Sequence, residues 1–189
     1  MMLRLCSSFM WVIWGFALGL SSCAEPPKTT LEEKPYFDLK GFLEIQIDAL
    51  DGTEVRKLSK IQDQEETVNV SYDREDWEEE FEVFTQADIN NPSSVDSYQT
   101  SESASSLSHE LKPKAKSKVK YIKVYFAGDK VERIELRIAE DNLFYASETL
   151  GELVMNTSTN LIDHYSIETT QKIWFLDPNN MSIKGDIEQ

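Results

Sequence analysis

Between Ile122 and Ile138 apolar and charged side chains exchange places at every step, and this alternation constrains the fold more than any other feature. Ile122, Val124 and Phe126 alternate with Lys123 and Tyr125. Ala127-Gly128-Asp129-Lys130 then turns the chain, and Ile134, Leu136 and Ile138 alternate with Arg133, Glu135 and Arg137. A period of two places one set of side chains on each face of a strand, so this stretch reads as a β-hairpin with one buried face. Further strands are expected around 143–146, 152–155, 165–169, 172–176 and 182–187, with Asp177-Pro178-Asn179-Asn180 as the turn between the last two.

Upstream the period changes. Leu39, Leu43, Ile47 and Leu50, with Phe42 beside them, recur at helical spacing, and Gly52 follows as a stop. Residues 55–61 and 67–72 flank Gln62-Asp63-Gln64-Glu65 and read as a hairpin. Asp73 can cap a second helix, with Asp76 three residues on completing a capping box. Trp77, Phe81 and Phe84 share one face of that helix. Its other face carries Glu75, Asp76, Glu78, Glu79, Glu80 and Glu82, read as a solvated surface or as a site for cations or a basic partner. Helices first and strands afterwards imply an α+β domain, with two N-terminal amphipathic helices and a hairpin packed on a C-terminal antiparallel sheet that can curve.

The N-terminus sets the address. Arg4 precedes a run of about a dozen apolar residues starting at Phe9, which fits a signal-peptide core and falls short of the ~20 a spanning helix needs. Leu20-Ser21-Ser22-Cys23 closes that run and resembles the lipobox of bacterial lipoproteins, in which the cysteine receives diacylglycerol and becomes residue one. An ordinary signal peptide and an uncleaved anchor are the alternatives, and acyl labelling separates them. Residues 1–22 are then the leader, 23–34 a lipidated tether, and 35–189 a single domain. The tether carries Pro26 and Pro27 and almost no apolar side chain. At ~3.1 Å per residue it reaches about 35 Å from the bilayer.

The body, with Tyr36-Phe37-Asp38-Leu39-Lys40-Gly41-Phe42 and Ala87-Asp88-Ile89-Asn90, is similar to uncharacterised lipoproteins of the Bacteroidota. That resemblance implies a Gram-negative envelope and no activity. Ala24 stands where an inner-membrane retention signal would place aspartate, and Glu25 is the only acid directly after the cysteine. The resemblance therefore implies the outer membrane, on its periplasmic face.

Composition removes several function classes. The formal charge of −15 argues against nucleic acid. Of two cysteines, Cys6 leaves with the leader and Cys23 is consumed by lipid, so no disulfide or thiol chemistry remains. No cofactor is implied. His109 is expected to be exposed beside a serine-rich segment, and His164 to be a structural histidine in a strand. No Gly-x-Ser-x-Gly occurs. Asp177, Asn179 and Asn180 could offer oxygens to calcium, but the turn accounts for them without a metal.

Residues 90–118 are read as a flexible loop, serine-rich at Ser101-Glu102-Ser103-Ala104-Ser105-Ser106. Out of it runs the one basic stretch, Lys112, Lys114, Lys116, Lys118, Lys120 and Lys123. These lysines either meet lipid phosphates or an acidic partner, or guard an exposed strand edge. The function expected from all this is non-catalytic binding or scaffolding in the periplasm, with a membrane held through Cys23 and an envelope protein or lipid as partner. The alternative is a half-barrel carrier of an apolar ligand lined by Tyr121, Tyr125, Phe144, Tyr145, Trp174 and Phe175, whose other role is to fill the core. A hydrolase is the least supported class.

Overall fold

Residues 34–189 are described by a computed structural model. The leader, Cys23 and the tether up to residue 33 lie outside the described residues. The N-terminal helix α1 (Leu39–Leu50) starts where the Asp38 carboxylate accepts the Gly41 N–H at 3.0 Å, and it buries Leu39, Leu43, Ile47 and Leu50. Gly52, at φ +78°, turns the chain out of the helix, a conformation that favours glycine. Strands β1 (Glu54–Ile61) and β2 (Gln64–Ser71) form the expected hairpin around a two-residue turn at Gln62-Asp63. The Asp73–Asp76 capping box is present at the start of α2 (Arg74–Glu80).

The second helix departs from expectation by breaking at Phe81, after which α3 (Glu82–Gln86) continues. Trp77, Phe81 and Phe84 are all fully buried. At Phe81 the hydrogen bonding tightens to an i−3 pattern, with Phe84 N–H donating to the Phe81 carbonyl. Phe84 thereby lies over Gly151. Nothing larger than glycine fits beneath that ring.

The serine-rich segment expected to be a loop contains a hairpin, β3 (Tyr98–Glu102) with β4 (Ser106–Leu111). Its inward positions include a polar side chain, His109, which is satisfied by hydrogen bonds to Thr100 across the hairpin and to the Phe37 N–H. Counting apolar residues therefore missed the alternation. A link at residues 112–118 leads to β5 (Val119–Ala127) and β6 (Lys130–Asp141), the hairpin expected from the 122–138 alternation, with Gly128 at φ +65° in its two-residue turn.

Three longer strands replace the five short ones expected downstream: β7 (Tyr145–Met155), β8 (Ile162–Ile173) and β9 (Asn179–Glu188). Ser147-Glu148-Thr149 does not interrupt β7, because each residue pairs with β6 on one side and β8 on the other.

All nine strands form one antiparallel sheet in the order β2-β1-β9-β8-β7-β6-β5-β4-β3. It is a meander from β3 to β9, extended by the N-terminal hairpin docked on β9. The edges β2 and β3 do not meet, so the sheet is open. Among the described residues the fold is mostly β with three short helices, which corrects the more even α+β balance expected.

The helices cover one face. Val124, Ile134, Leu153 and Tyr165 form a cross-strand row beneath them, and Gly185 ends it because a Cβ there would overlap the Tyr165 ring. The other face is polar and ion-paired, with Arg56–Asp186, Lys184–Glu168, Arg133–Glu152 and Arg137–Glu148 bridging neighbouring strands. Antiparallel sheets can leave one face in water in this way. A 12-residue helix spans about 18 Å, while the 12-residue strands β6 and β8 span about 40 Å, so one end of the sheet projects past its helical cover.

Candidate functional site

The projecting end collects four connections. Sheet order places them side by side: the β1–β2 turn, the β8–β9 turn, the β6–β7 turn and the β4–β5 link. The two central turns carry Leu143 and Phe144, and Trp174, Phe175 and Leu176. Leu143, Phe144, Trp174 and Phe175 are between 66 % and 87 % exposed. The two turns are tied together, since the Trp174 N–H donates to the Phe144 carbonyl at 3.1 Å. Trp174 and Phe175 also meet edge to face, with ring centroids 6.0 Å apart. Scattered exposed apolar residues are ordinary, and what sets this tip apart as the candidate site is that four of them gather on two adjoining, hydrogen-bonded turns.

The six aromatic residues considered for a ligand cavity do not share one. Phe144, Trp174 and Phe175 stand at these tips, and the half-buried Tyr145 opens β7 opposite Ile173. Tyr125 lies under Arg133 at 4.2 Å and Tyr121 under Lys123 at 4.7 Å, both alternating with the core-facing Ile122 and Val124. The apolar face itself is filled by Trp77, Phe81 and Phe84.

The lysines do not guard an edge, because β5 lies between β4 and β6. Lys112 donates to the Asp96 carbonyl and Lys120 to that of Ser117, each at 2.7 Å. Lys118 pairs with Glu140 at 2.8 Å and Lys123 with Glu110 at 3.4 Å. Lys114 and Lys116 form no ion pair among the described residues. The run is thus split between a surface link, Lys112 to Lys118, and the first half of β5.

His109, expected to be exposed, is fully buried on β4. Its Nε2 accepts the Phe37 N–H at 3.1 Å, and its Nδ1 lies 2.9 Å from Thr100 Oγ1. An accepting Nε2 requires a neutral ring with the proton on Nδ1, which donates to Thr100. Both nitrogens are therefore occupied, and His109 offers no free base. Burial lowers its pKa. The unfolded chain binds a proton below about 6.5 that the folded ring resists, so stability is full above that pH and falls as the pH drops below it. Urea midpoints measured between about pH 7 and pH 5 should decline for the natural sequence and flatten in His109→Gln. Equal slopes in the two proteins would show that the ring does not titrate with unfolding.

His164 is half exposed on β8, with Nδ1 3.2 Å from the Asp163 carboxylate. The β8–β9 turn runs from Trp174 to Pro178, one step earlier than the expected Asp177-Pro178-Asn179-Asn180, because Asn179 and Asn180 already pair with β8 and Asn180 Oδ1 accepts from Thr170. Among the described residues no group of three or more His, Cys, Asp or Glu converges to hold a metal. A cleft of about 210 Å³ lies between α1 and α2, lined by Lys40, Glu44, Arg74 and Glu78, and shallower hollows of about 490 and 520 Å³ lie at the β1–β2 turn and beside Lys116, Lys118 and Lys120.

The tip residues stand out in the sequence, but as the lining of a cavity or as parts of a strand. The signal for a tip was their position, because an apolar run that adjoins Asp177-Pro178 has no room to turn back into a core. No known protein family, curated protein or solved structure matches the chain, so its candidate site rests on this geometry.

Proposed function

We propose that the chain is a membrane-anchored envelope lipoprotein, held through acylated Cys23 on the periplasmic face of the outer membrane, whose domain binds or scaffolds without catalysis. The observation that carries binding is the exposed apolar tip of two hydrogen-bonded hairpin turns, on a domain whose sheet packs one face on helices and carries cross-strand ion pairs on the other. Leu20-Ser21-Ser22-Cys23 supports the anchor. Among the described residues no helix is long and apolar enough to cross a membrane. The filled apolar face weighs against an apolar-ligand carrier, which needs that face empty.

Metabolic labelling with a tagged fatty acid tests the anchor. The natural chain should be labelled and float with membranes, and Cys23→Ala should lose the label entirely, because the thiol is the group that the lipid attaches to. Two or three acyl chains, at roughly 0.8 kcal/mol per buried methylene, make the anchoring durable. Equal labelling of the alanine variant would refute the lipoprotein reading.

A further inference from the structure

Charge and polarity are distributed unevenly along the strands. The projecting end carries the aromatic turns, flanked by the lysine-bearing β4–β5 link and by Lys172 at the end of β8. The opposite end carries the start of α2, which follows β2 directly and bears Glu75, Asp76, Glu78 and Glu79. In a chain of net charge −15, these four acids of α2 stand at the end away from the aromatic turns, while the lysines of the β4–β5 link stand at the near end. Of the carboxylates at the tip end, Glu140 is held by Lys118, Asp141 and Asp177 stand beside the aromatic turns, and Asp63, Glu65 and Glu66 lie exposed one turn away, in and beside the β1–β2 turn.

The chain also enters the domain near this end. Tyr36 packs on Tyr98 with ring centroids 5.5 Å apart, and the Tyr98 hydroxyl donates to the Val119 carbonyl at the end of the lysine-bearing link. From Cys23 to Lys34 the tether can extend about 35 Å at ~3.1 Å per residue, and nothing obliges it to cross the sheet to reach a bilayer on the tip side.

From this arrangement we infer that the two hairpin tips are a second membrane contact, seating Phe144, Trp174 and Phe175 among the headgroups of an anionic bilayer while Lys114, Lys116 and Lys172 meet its phosphates. Aromatic rings with a polar edge favour the headgroup layer, and lysines nearby gain from the negative surface potential. This placement turns the acids of α2 away from the same surface, which reduces the repulsion that a strongly acidic domain would otherwise meet. The inference rests on the membrane location proposed above, but its readout does not depend on acylation.

Tryptophan fluorescence of the full chain on vesicles tests it. Removal of the leader takes Trp11 and Trp14 with it and leaves Trp77 and Trp174, and subtracting the emission of Trp174→Phe isolates the tip signal. On floated vesicles of phosphatidylethanolamine and phosphatidylglycerol, the Trp174 component should shift to the blue and be quenched by brominated acyl chains, while losing its quenching by aqueous acrylamide. On phosphatidylcholine vesicles, and in Lys114→Gln/Lys116→Gln/Lys172→Gln, the ratio of inserted to free tip should fall, by about fivefold for each lysine neutralised. All four positions are exposed, so an unchanged Trp77 signal reports that the variants fold. The unacylated Cys23→Ala chain should show the same Trp174 quenching at higher lipid concentration, so that the anchor and the tip contact fail separately. Trp174 that stays open to acrylamide and untouched by brominated lipid on floated vesicles overturns the inference. So does shielding that grows with protein concentration without lipid, which assigns the tip to a second copy, or shielding that requires an added protein partner.

Discussion

Replacing Phe81 by alanine is expected to cost about 3–5 kcal/mol, the range for deleting a fully buried aromatic ring and leaving its cavity. Phe81 has no solvent exposure, stacks on Trp77 at 5.2 Å and meets Tyr165 edge to face at 5.2 Å. It also occupies the break between α2 and α3, so no backbone segment can close over the gap without moving Phe84 off Gly151. Domains are stable by only about 5–15 kcal/mol, and such a loss removes a large share. Urea denaturation read from Trp77 emission should show a lower midpoint at unchanged slope. A loss below about 1 kcal/mol would mean that the helices are peripheral to the sheet rather than its cover.

Local chemistry made the helix starts and the end of α1 readable, though not the break at Phe81. Asp38 and Asp73 cap through their own carboxylates, Gly52 supplies a positive φ, and the 39-43-47-50 spacing closes one face. The 122–138 hairpin was equally readable, because Gly128 and the period of two on either side of it agree with each other, the pairing slipping at Tyr125/Phe126. Long-range pairing was not. Alternation in β9 states which side chains face inward but not that β9 pairs with β1, whose partners lie more than a hundred residues away. The serine-rich hairpin escaped because its inward position at His109 is filled by a ring hydrogen-bonded to Thr100 rather than by hydrocarbon. His109 was misplaced for the same reason.

The tip shows a different limit. Periodicity counts Trp174 and Phe175 as candidates for a core, and only strand length against helix length shows that the sheet outruns its cover there. The lysine run met the same obstacle, since its meaning depended on whether β5 is an edge. That is a property of sheet order and of no local pattern.

Removing Glu80 is the second change expected to be severe, at about 3 kcal/mol. Glu80 ends α2 with its side chain 7 % exposed, where Oε1 accepts the Tyr165 hydroxyl at 2.8 Å and Oε2 takes Lys57 and the Tyr72 hydroxyl. Burial and then the Glu80 charge raise the pKa of both tyrosines, so both stay protonated and donate to the carboxylate. For Lys57, burial opposes the charge, but the hydrogen bond and charge of Glu80 outweigh it and raise its pKa. Glu80→Ala leaves that ammonium in the sheet–helix interface without its partner, and breaking a buried pair costs about 3–5 kcal/mol. The lower end applies because the Lys57 side chain keeps 18 % exposure. Removing both charges in Lys57→Met/Glu80→Leu should recover most of the loss, with about 1 kcal/mol remaining for a Tyr165 hydroxyl left without an acceptor. A double-mutant cycle of urea midpoints measures the coupling between the two positions. If the double variant is as unstable as the sum of the singles, the carboxylate acts through Tyr165 alone and the ion pair contributes nothing to joining α2 to β1.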